Sequence, residues 1–209
     1  MIGVRNTPKS KHYQMATNKS LILLSGGLDS ATLAFWLAKR GHTVECLYFD
    51  YEQGCVNAER ECAISVARGL GVSLSILETP RPRDAIREIV GRPNDNVELF
   101  ADVVSLCTMA ATFAFGAGAD LVFLAVNADD MRLHPSLQIR FFRNMEKLAS
   151  HWMGNNLRLL TPFLNKDKAS IMRIGLKLGV PFENTWSCSV NVETHCGRCS
   201  DCAARKQVF

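Results

Sequence analysis

The chain of 209 residues is 47% hydrophobic, 21% charged and 8% aromatic, which suits one ordinary globular domain and excludes disorder, collagen and coiled coil as its main state. Lys plus Arg outnumber Asp plus Glu by 24 to 20, and a net charge of +4 is too small and too dispersed to imply direct nucleic-acid binding. Apolar runs such as 121–126 fall far short of the ~20 residues that cross a bilayer, and the polar amino terminus lacks an apolar signal core, so a cytoplasmic protein without a membrane partner is expected.

Residues 1–18 carry Arg5, Lys9 and Lys11, no acidic side chain and no apolar periodicity. They read as a flexible tail, or as residues upstream of a start at Met15, in preference to a docking arm. Organised sequence begins at Lys19. A strand at 20–24 leads into a helix through Lys39, a strand at 43–49 into a helix at 58–70, and a third strand spans 74–77. After a polar stretch at 81–96 come a helix at 103–115, a strand at 120–126 and a helix at 140–150. This alternation predicts an α/β fold, a doubly wound parallel sheet with ligands at the carboxyl ends of its strands. Gly41, Gly71, Gly118 and Gly179 fall where helices should end in left-handed caps.

Ser25-Gly26-Gly27-Leu28-Asp29-Ser30 follows the first strand and opens the first helix. Two glycines allow a tight turn that presents amide hydrogens, and the helix amino terminus adds partial positive charge for a phosphate. Ser25 and Ser30 offer hydroxyl donors, while Asp29 can cap the helix or orient Mg²⁺ through water. No lysine follows the last glycine, so this is not the Walker loop. Lys168 opens the helical pattern 169–178, a poor place for a cation unless a phosphate compensates it.

Eight cysteines in a chain able to bury its own core argue against a disulfide framework, and four of them fall within residues 188–209. Cys188, Cys196, Cys199 and Cys202 have spacers that let thiolates converge on one tetrahedral Zn²⁺ with no open position, a structural site. An iron–sulfur cluster is the rival, and zinc is preferred because no redox partner is visible. Cys46, Cys55, Cys62 and Cys107 lack such spacing and read mostly as buried apolar residues.

The 25–30 hexamer resembles the PP-loop of the ATP pyrophosphatases, which cleave ATP between its α and β phosphates. Joined to the cysteines and to Thr185-Trp186-Ser187, it resembles the QueC family of 7-cyano-7-deazaguanine synthases over about 20–209. Phe49-Asp50-Tyr51 with Gln53, Val126-Asn127-Ala128-Asp129-Asp130, Thr161-Pro162-Phe163 with Lys168, and 178–182 share the likeness. The resemblance implies a PP-loop ATP-binding domain at 19–184 and a zinc-binding segment at 185–209. It implies Asp29, Ser30 and Lys168 as catalytic; Ser25, Gly26, Gly27, Leu28, Asp29, Ser30, Phe49, Asp50 and Lys168 around ATP and Mg²⁺; and Asn127, Asp130 and Ser136 at a deazapurine carboxylate. The implied reaction adenylates that acid, ammonia displaces AMP to give an amide, and a second adenylation gives the nitrile.

Two stretches depart from the family pattern. Phe100-Ala101-Asp102-Val103 stands where Pro-Gly-Arg-Asn is expected, exchanging a cation for an anion, with Arg92 or Arg132 as candidates to fill the gap. His134-Pro135-Ser136 stands where an aspartate is expected to read the guanine-like edge. Retained adenylating machinery with an altered acceptor pocket also fits QueC-like proteins of antiviral gene clusters, which would join a deazaguanine to a protein amine. A non-catalytic partner in a defence complex is a third reading, and a homodimer or a protein partner stays open.

Overall fold

The computed structural model describes residues 19–91, 95–153, 156–190 and 192–209, so the expected tail and Arg92 lie outside the described residues. Short Leu-, Ile- and Val-rich runs form five parallel strands: β1 (Lys19–Leu23), β2 (Thr43–Asp50), β3 (Ser73–Glu78), β4 (Leu121–Phe123) and β5 (Arg158–Leu160). Their order is β3-β2-β1-β4-β5, with Ile22 of β1 opposite Cys46 on one side and Phe123 on the other. The chain reverses its direction of travel between β1 and β4, which opens a crevice above their carboxyl ends.

Alternation along β1 sends neighbouring side chains to opposite faces. Ile22 and Leu24 join a core with α1 (Leu28–Lys39), α2 (Val56–Leu70) and α7 (Lys168–Leu178), whereas Leu21 joins a second core with α4 (Asp95–Ala117) and α6 (Ile139–Met153). Each fully buried leucine or phenylalanine on these faces contributes about 1.5–3 kcal/mol. The shorter helices are α3 (Pro82–Val90), α5 (Ala128–Leu133) and α8 (Ser200–Val208), with a 3₁₀ turn at Phe182–Asn184. Gly41, Gly71, Gly118 and Gly179 all take left-handed φ values between 66° and 79°, as expected of caps.

Three expectations are corrected. The polar stretch 81–96 contains α3 and the start of α4. Pro82 fits the first turn of α3, and the Asp102 carboxylate accepts the Arg83 backbone N–H at 3.2 Å, a cap supplied from α4 that local sequence cannot announce. The strand expected at 120–126 ends at Phe123, because the chain leaves the sheet to place Asn127 at the start of α5. Residues 100–117 of α4 form an 18-residue stretch long and apolar enough, by length and composition, to cross a bilayer, which the reading of 121–126 overlooked. Its Cys107, Ala110, Ala111 and Ala114 pack into the second core.

Helix α1 meets α7 closely because Gly175 has no side chain: a Cβ there would stand 2.3 Å from Phe182 Cζ and 2.8 Å from Thr32 Oγ1. The Gly175→Ala variant should lose about 1–3 kcal/mol by overpacking, read as a lowered urea midpoint at unchanged m value.

Candidate nucleotide and metal sites

The loop at the end of β1 is built from glycine geometry and serine hydroxyls. Gly26 has φ +76°, and a Cβ there would sit 2.3 Å from the Glu59 carbonyl oxygen and 3.0 Å from the Ala63 nitrogen, both on α2. Gly27 precedes α1 with no side-chain cap, leaving first-turn N–H groups to an anion. Ser30 is buried and ties the turn together, accepting from the Ser25 backbone N–H at 3.2 Å, lying 3.0 Å from Ser25 Oγ and donating to Gly27 O at 3.2 Å.

Asp29 does not cap α1. It reaches across the crevice, where Asn127 Nδ2 donates to its Oδ2 at 3.1 Å, while its Oδ1 is buried with no partner. Burial pushes its pKa up to about 6; the Lys168 ammonium pulls it down, and Asp130 and Asp129 add repulsion. An unpartnered carboxylate oxygen among like charges is the arrangement a divalent cation relieves, so the residues present fit Mg²⁺. Lys168 stands at the first position of α7, its backbone N–H donating to Asp129 Oδ2 at 2.9 Å, and it lines the same hollow as Gly27, Leu28 and Asp29.

Asn127, expected at the substrate, lies at the start of α5, bonded to its own helix and to Asp29. It is fully buried, its Oδ1 accepts the Asp129 and Asp130 backbone N–H groups at 2.8 and 3.0 Å, and its Nδ2 donates one hydrogen bond to Asp29. Asp130 Oδ2 completes this capping box by accepting the Asn127 N–H at 3.0 Å. Ser136 lies exposed in the turn between α5 and α6, outside the lining of the hollows at the loop and at Asp102. Phe49 is buried beside a hollow of about 140 Å³ that also takes in Ser25, Tyr48, Tyr51 and Gln53, where Gln53 donates to Tyr48 Oη and to Glu59 Oε2, each at 2.8 Å. Asp50 faces elsewhere: it accepts the Glu52 N–H at 3.2 Å, pairs with Arg60 at 3.8 Å and lines an outer hollow with Glu78 and Thr79.

Asp102 does not leave an uncompensated anion. It is buried, 3.4 Å from Arg81 Nε, and paired with Arg83, beside a hollow of about 180 Å³ that shares Tyr51 and Leu106 with the one above the loop. Two arginines at the start of α3 thus offset the Asp102 carboxylate, with the Arg81 guanidinium 5.0 Å from the Tyr51 ring centroid. Arg132 is turned away, paired with Asp129.

The four cysteines converge as expected. Their Sγ atoms all lie within 4.8 Å of one another, with Cys196 to Cys202 at 3.9 Å and Cys199 to Cys188 at 4.0 Å. A tetrahedron with Zn–S bonds of ~2.3 Å has edges of ~3.8 Å, so the thiols fit a single metal ion. The N–H of Cys202 donates to Cys199 Sγ at 3.3 Å, and such backbone bonds hold the Cys199 pKa down to about 6, which favours the ligating thiolate. Cys46, Cys55 and Cys107 are buried and Cys62 is half-buried.

This segment touches the loop directly. Trp186 N–H donates to Gly26 O at 2.9 Å, and Trp186, Ser187, Asp201, Arg205 and Val208 close the hollow that Asp29 and Lys168 open. Sequence reasoning missed Arg205 and the arginines of α3; the spacing of Arg205, one turn beyond Cys202, was a usable signal. Helix α8 was also missed, because its cap is the Cys199 sulfur.

A family model described as Queuosine biosynthesis protein QueC matches residues 19–209. The chain belongs to the QueC family. It is 32% identical over 209 residues to a 7-cyano-7-deazaguanine synthase of Methanospirillum hungatei JF-1, covering 91% of this chain and 94% of that one. Its fold is shared with NMN synthetase from Francisella tularensis (TM-score 0.58, 17% identity, 86% of this chain and 70% of that one). It is shared too with the U34-tRNA thiolase NcsA of Methanococcus maripaludis with its [4Fe-4S] cluster (TM-score 0.58, 13% identity, 91% and 62%).

In this QueC chain the raised pKa of Asp29 sets a pH signature. Between about pH 4 and pH 6 the native state keeps a proton that the unfolded chain releases, so this group's contribution falls as pH rises through that window and stays low above it. Asp29→Asn should therefore stabilise the nucleotide-free protein by about 1–2 kcal/mol at pH 7.5, with the gain shrinking towards pH 4, in paired urea titrations. Wild-type protein should carry one metal ion per chain at the four thiols, and Cys199→Ser should lose it and lower the melting temperature, checked by elemental analysis and calorimetry.

Proposed function

We propose that this chain uses ATP to activate the carboxylate of 7-carboxy-7-deazaguanine, or a closely related deazapurine acid, as an acyl-adenylate, and that ammonia then displaces AMP. As a QueC member it is a carbon–nitrogen bond-forming enzyme of the ligase class, similar to 7-cyano-7-deazaguanine synthases. The observation that carries the reading is the convergence of the 25–30 loop, Asp29, Lys168 and the carboxyl-terminal segment on one crevice at the switch point of the sheet.

A carboxylate is a poor electrophile, and its oxygen must first attack the α-phosphorus as pyrophosphate leaves. The loop amides and Lys168 would hold the phosphates and neutralise the charge that gathers on the leaving pyrophosphate. Asp29, with its free Oδ1, would hold Mg²⁺, which supplies further neutralisation of the phosphates when bound. Asn127 fixes Asp29 against rotation. Ammonia then attacks the acyl carbon, loses a proton and expels AMP to leave the amide; a second ATP activates the amide oxygen, and loss of AMP and protons leaves the nitrile. Phe49 and Tyr51 line the hollow suited to the adenosine. Cys188, Cys196, Cys199 and Cys202 would hold a structural zinc ion that fixes the segment facing the loop, and their close sulfur spacing favours one ion over a cluster, whose several irons spread their thiolates farther apart.

One observation favours a second reading, transfer to a protein amine: exposed Ser136 offers no carboxylate where the family pattern has one, which weakens recognition of a free base by about 1.5–3 kcal/mol. Full-length protein with MgATP, ammonia and 7-carboxy-7-deazaguanine, followed by mass spectrometry, tests both. Slow release of amide and nitrile with AMP is expected. An adduct on an added protein would select the second reading, and absence of AMP and pyrophosphate in every mixture would defeat the adenylation chemistry.

A further inference from the structure

Resting on the reading that ATP occupies the loop, we infer that α8 forms the outer wall of the polyphosphate end of the crevice and that Arg205 binds the β and γ phosphates opposite Lys168. The hollow there, of about 110 Å³, has two walls of different origin. Gly27, Asp29 and Lys168 come from the sheet domain, and Trp186, Asp201 and Arg205 come from the metal-binding segment. Each wall thus brings one carboxylate and one cation, a mixed lining suited to a polyphosphate carrying a divalent ion rather than to a bare anion.

The state of Arg205 points the same way. Its Nη1 donates to Thr185 Oγ1 at 2.9 Å and to Ser187 Oγ at 3.1 Å, and its Nη2 to Phe182 O at 2.7 Å. All three acceptors are neutral, and among the described residues no carboxylate lies within 4.0 Å of the guanidinium. Burial lowers its pKa. A half-buried cation fixed by neutral acceptors and lacking an anionic partner is unfavourable by itself, and a guanidinium held in this way is already arranged for phosphate. The thiolate centre is the competing anion: Cys202 lies one turn earlier on α8, and four thiolates around a divalent ion carry a net charge of about −2. Arg205 therefore stands between the metal centre and the phosphates, and the segment that carries it is bonded to the loop through Trp186 N–H and Gly26 O. Because metal and nucleotide would both order the one segment that carries Arg205, and this ordering outweighs the competition for its charge, the linkage is reciprocal and positive: bound MgATP strengthens metal retention, and bound metal strengthens MgATP.

The experiment uses full-length, metal-loaded protein, with calorimetric titration of MgATP and of AMP in separate runs. Arg205→Gln should weaken MgATP about 10- to 100-fold, the value of one or two charge-assisted bonds, and leave AMP, which lacks the β and γ phosphates, within about twofold. Arg205→Lys, which keeps the charge and tests the inference if the glutamine variant loses its metal, should fall between. In the wild type, MgATP and not AMP should slow metal release to a chelating indicator several-fold. Unchanged MgATP affinity in either variant, equal loss for AMP and ATP, or metal release indifferent to MgATP would each overturn the inference. A wild type that binds no MgATP would instead defeat the adenylation reading on which it rests.

Discussion

Everything at the crevice depends on one residue that is gripped from both sides. Gly26 presses so closely on α2 that a methyl group would overlap the Glu59 carbonyl, and its own carbonyl accepts the N–H of Trp186. Its positive φ turns the loop so that Ser25 and Ser30 meet and α1 starts with open N–H groups. A single Cβ at this position would push the loop away from α2, and with it the bond that holds the carboxyl-terminal segment against the loop. The loop is thereby the point at which the sheet domain and its carboxyl-terminal extension are joined.

Around this point the protein concentrates charge that its fold alone does not need. Asp29, Asp129 and Asp130 crowd the ends of β1 and β4, compensated in part by Lys168 and Arg132 and by the donors of Asn127. Asn127 is the economical element: one buried side chain caps α5 and orients Asp29, so the two halves of the sheet are tied at the switch point. Burying carboxylates beside one another lowers stability in the free protein, and a bound cation would offset that loss. A folded protein that gains stability on losing Asp29 is what such a site implies.

Some of the fold was legible and some was not, for reasons that can be assigned residue by residue. Alternating apolar runs gave β1 to β4 with α1, α2, most of α4 and most of α6, because periodicity is local and the buried faces are continuous. Helix α3 escaped notice since its first turn is capped by Asp102 from α4, and β5 since three residues give no periodicity to read. The departure at 100–103 looked like a charge reversal in sequence. In three dimensions Arg81 and Arg83 cancel it from 19 to 21 residues away.

By itself the sequence determined the chemistry that depends on short spacing: a serine-glycine loop between a strand and a helix, four cysteines set for one ion, left-handed glycines at helix ends, and through them the QueC resemblance. These survive translation into structure because their partners lie within a few residues of one another. The tertiary structure alone decided which side chains meet across the sheet. It bonded Asn127 to Asp29, paired Asp50 with Arg60, neutralised Asp102 and brought Arg205 and Lys168 to one hollow. Those meetings depend on strand order and helix packing, which bring together residues as far apart as Asp29 and Asn127, and no local pattern encodes such a distance.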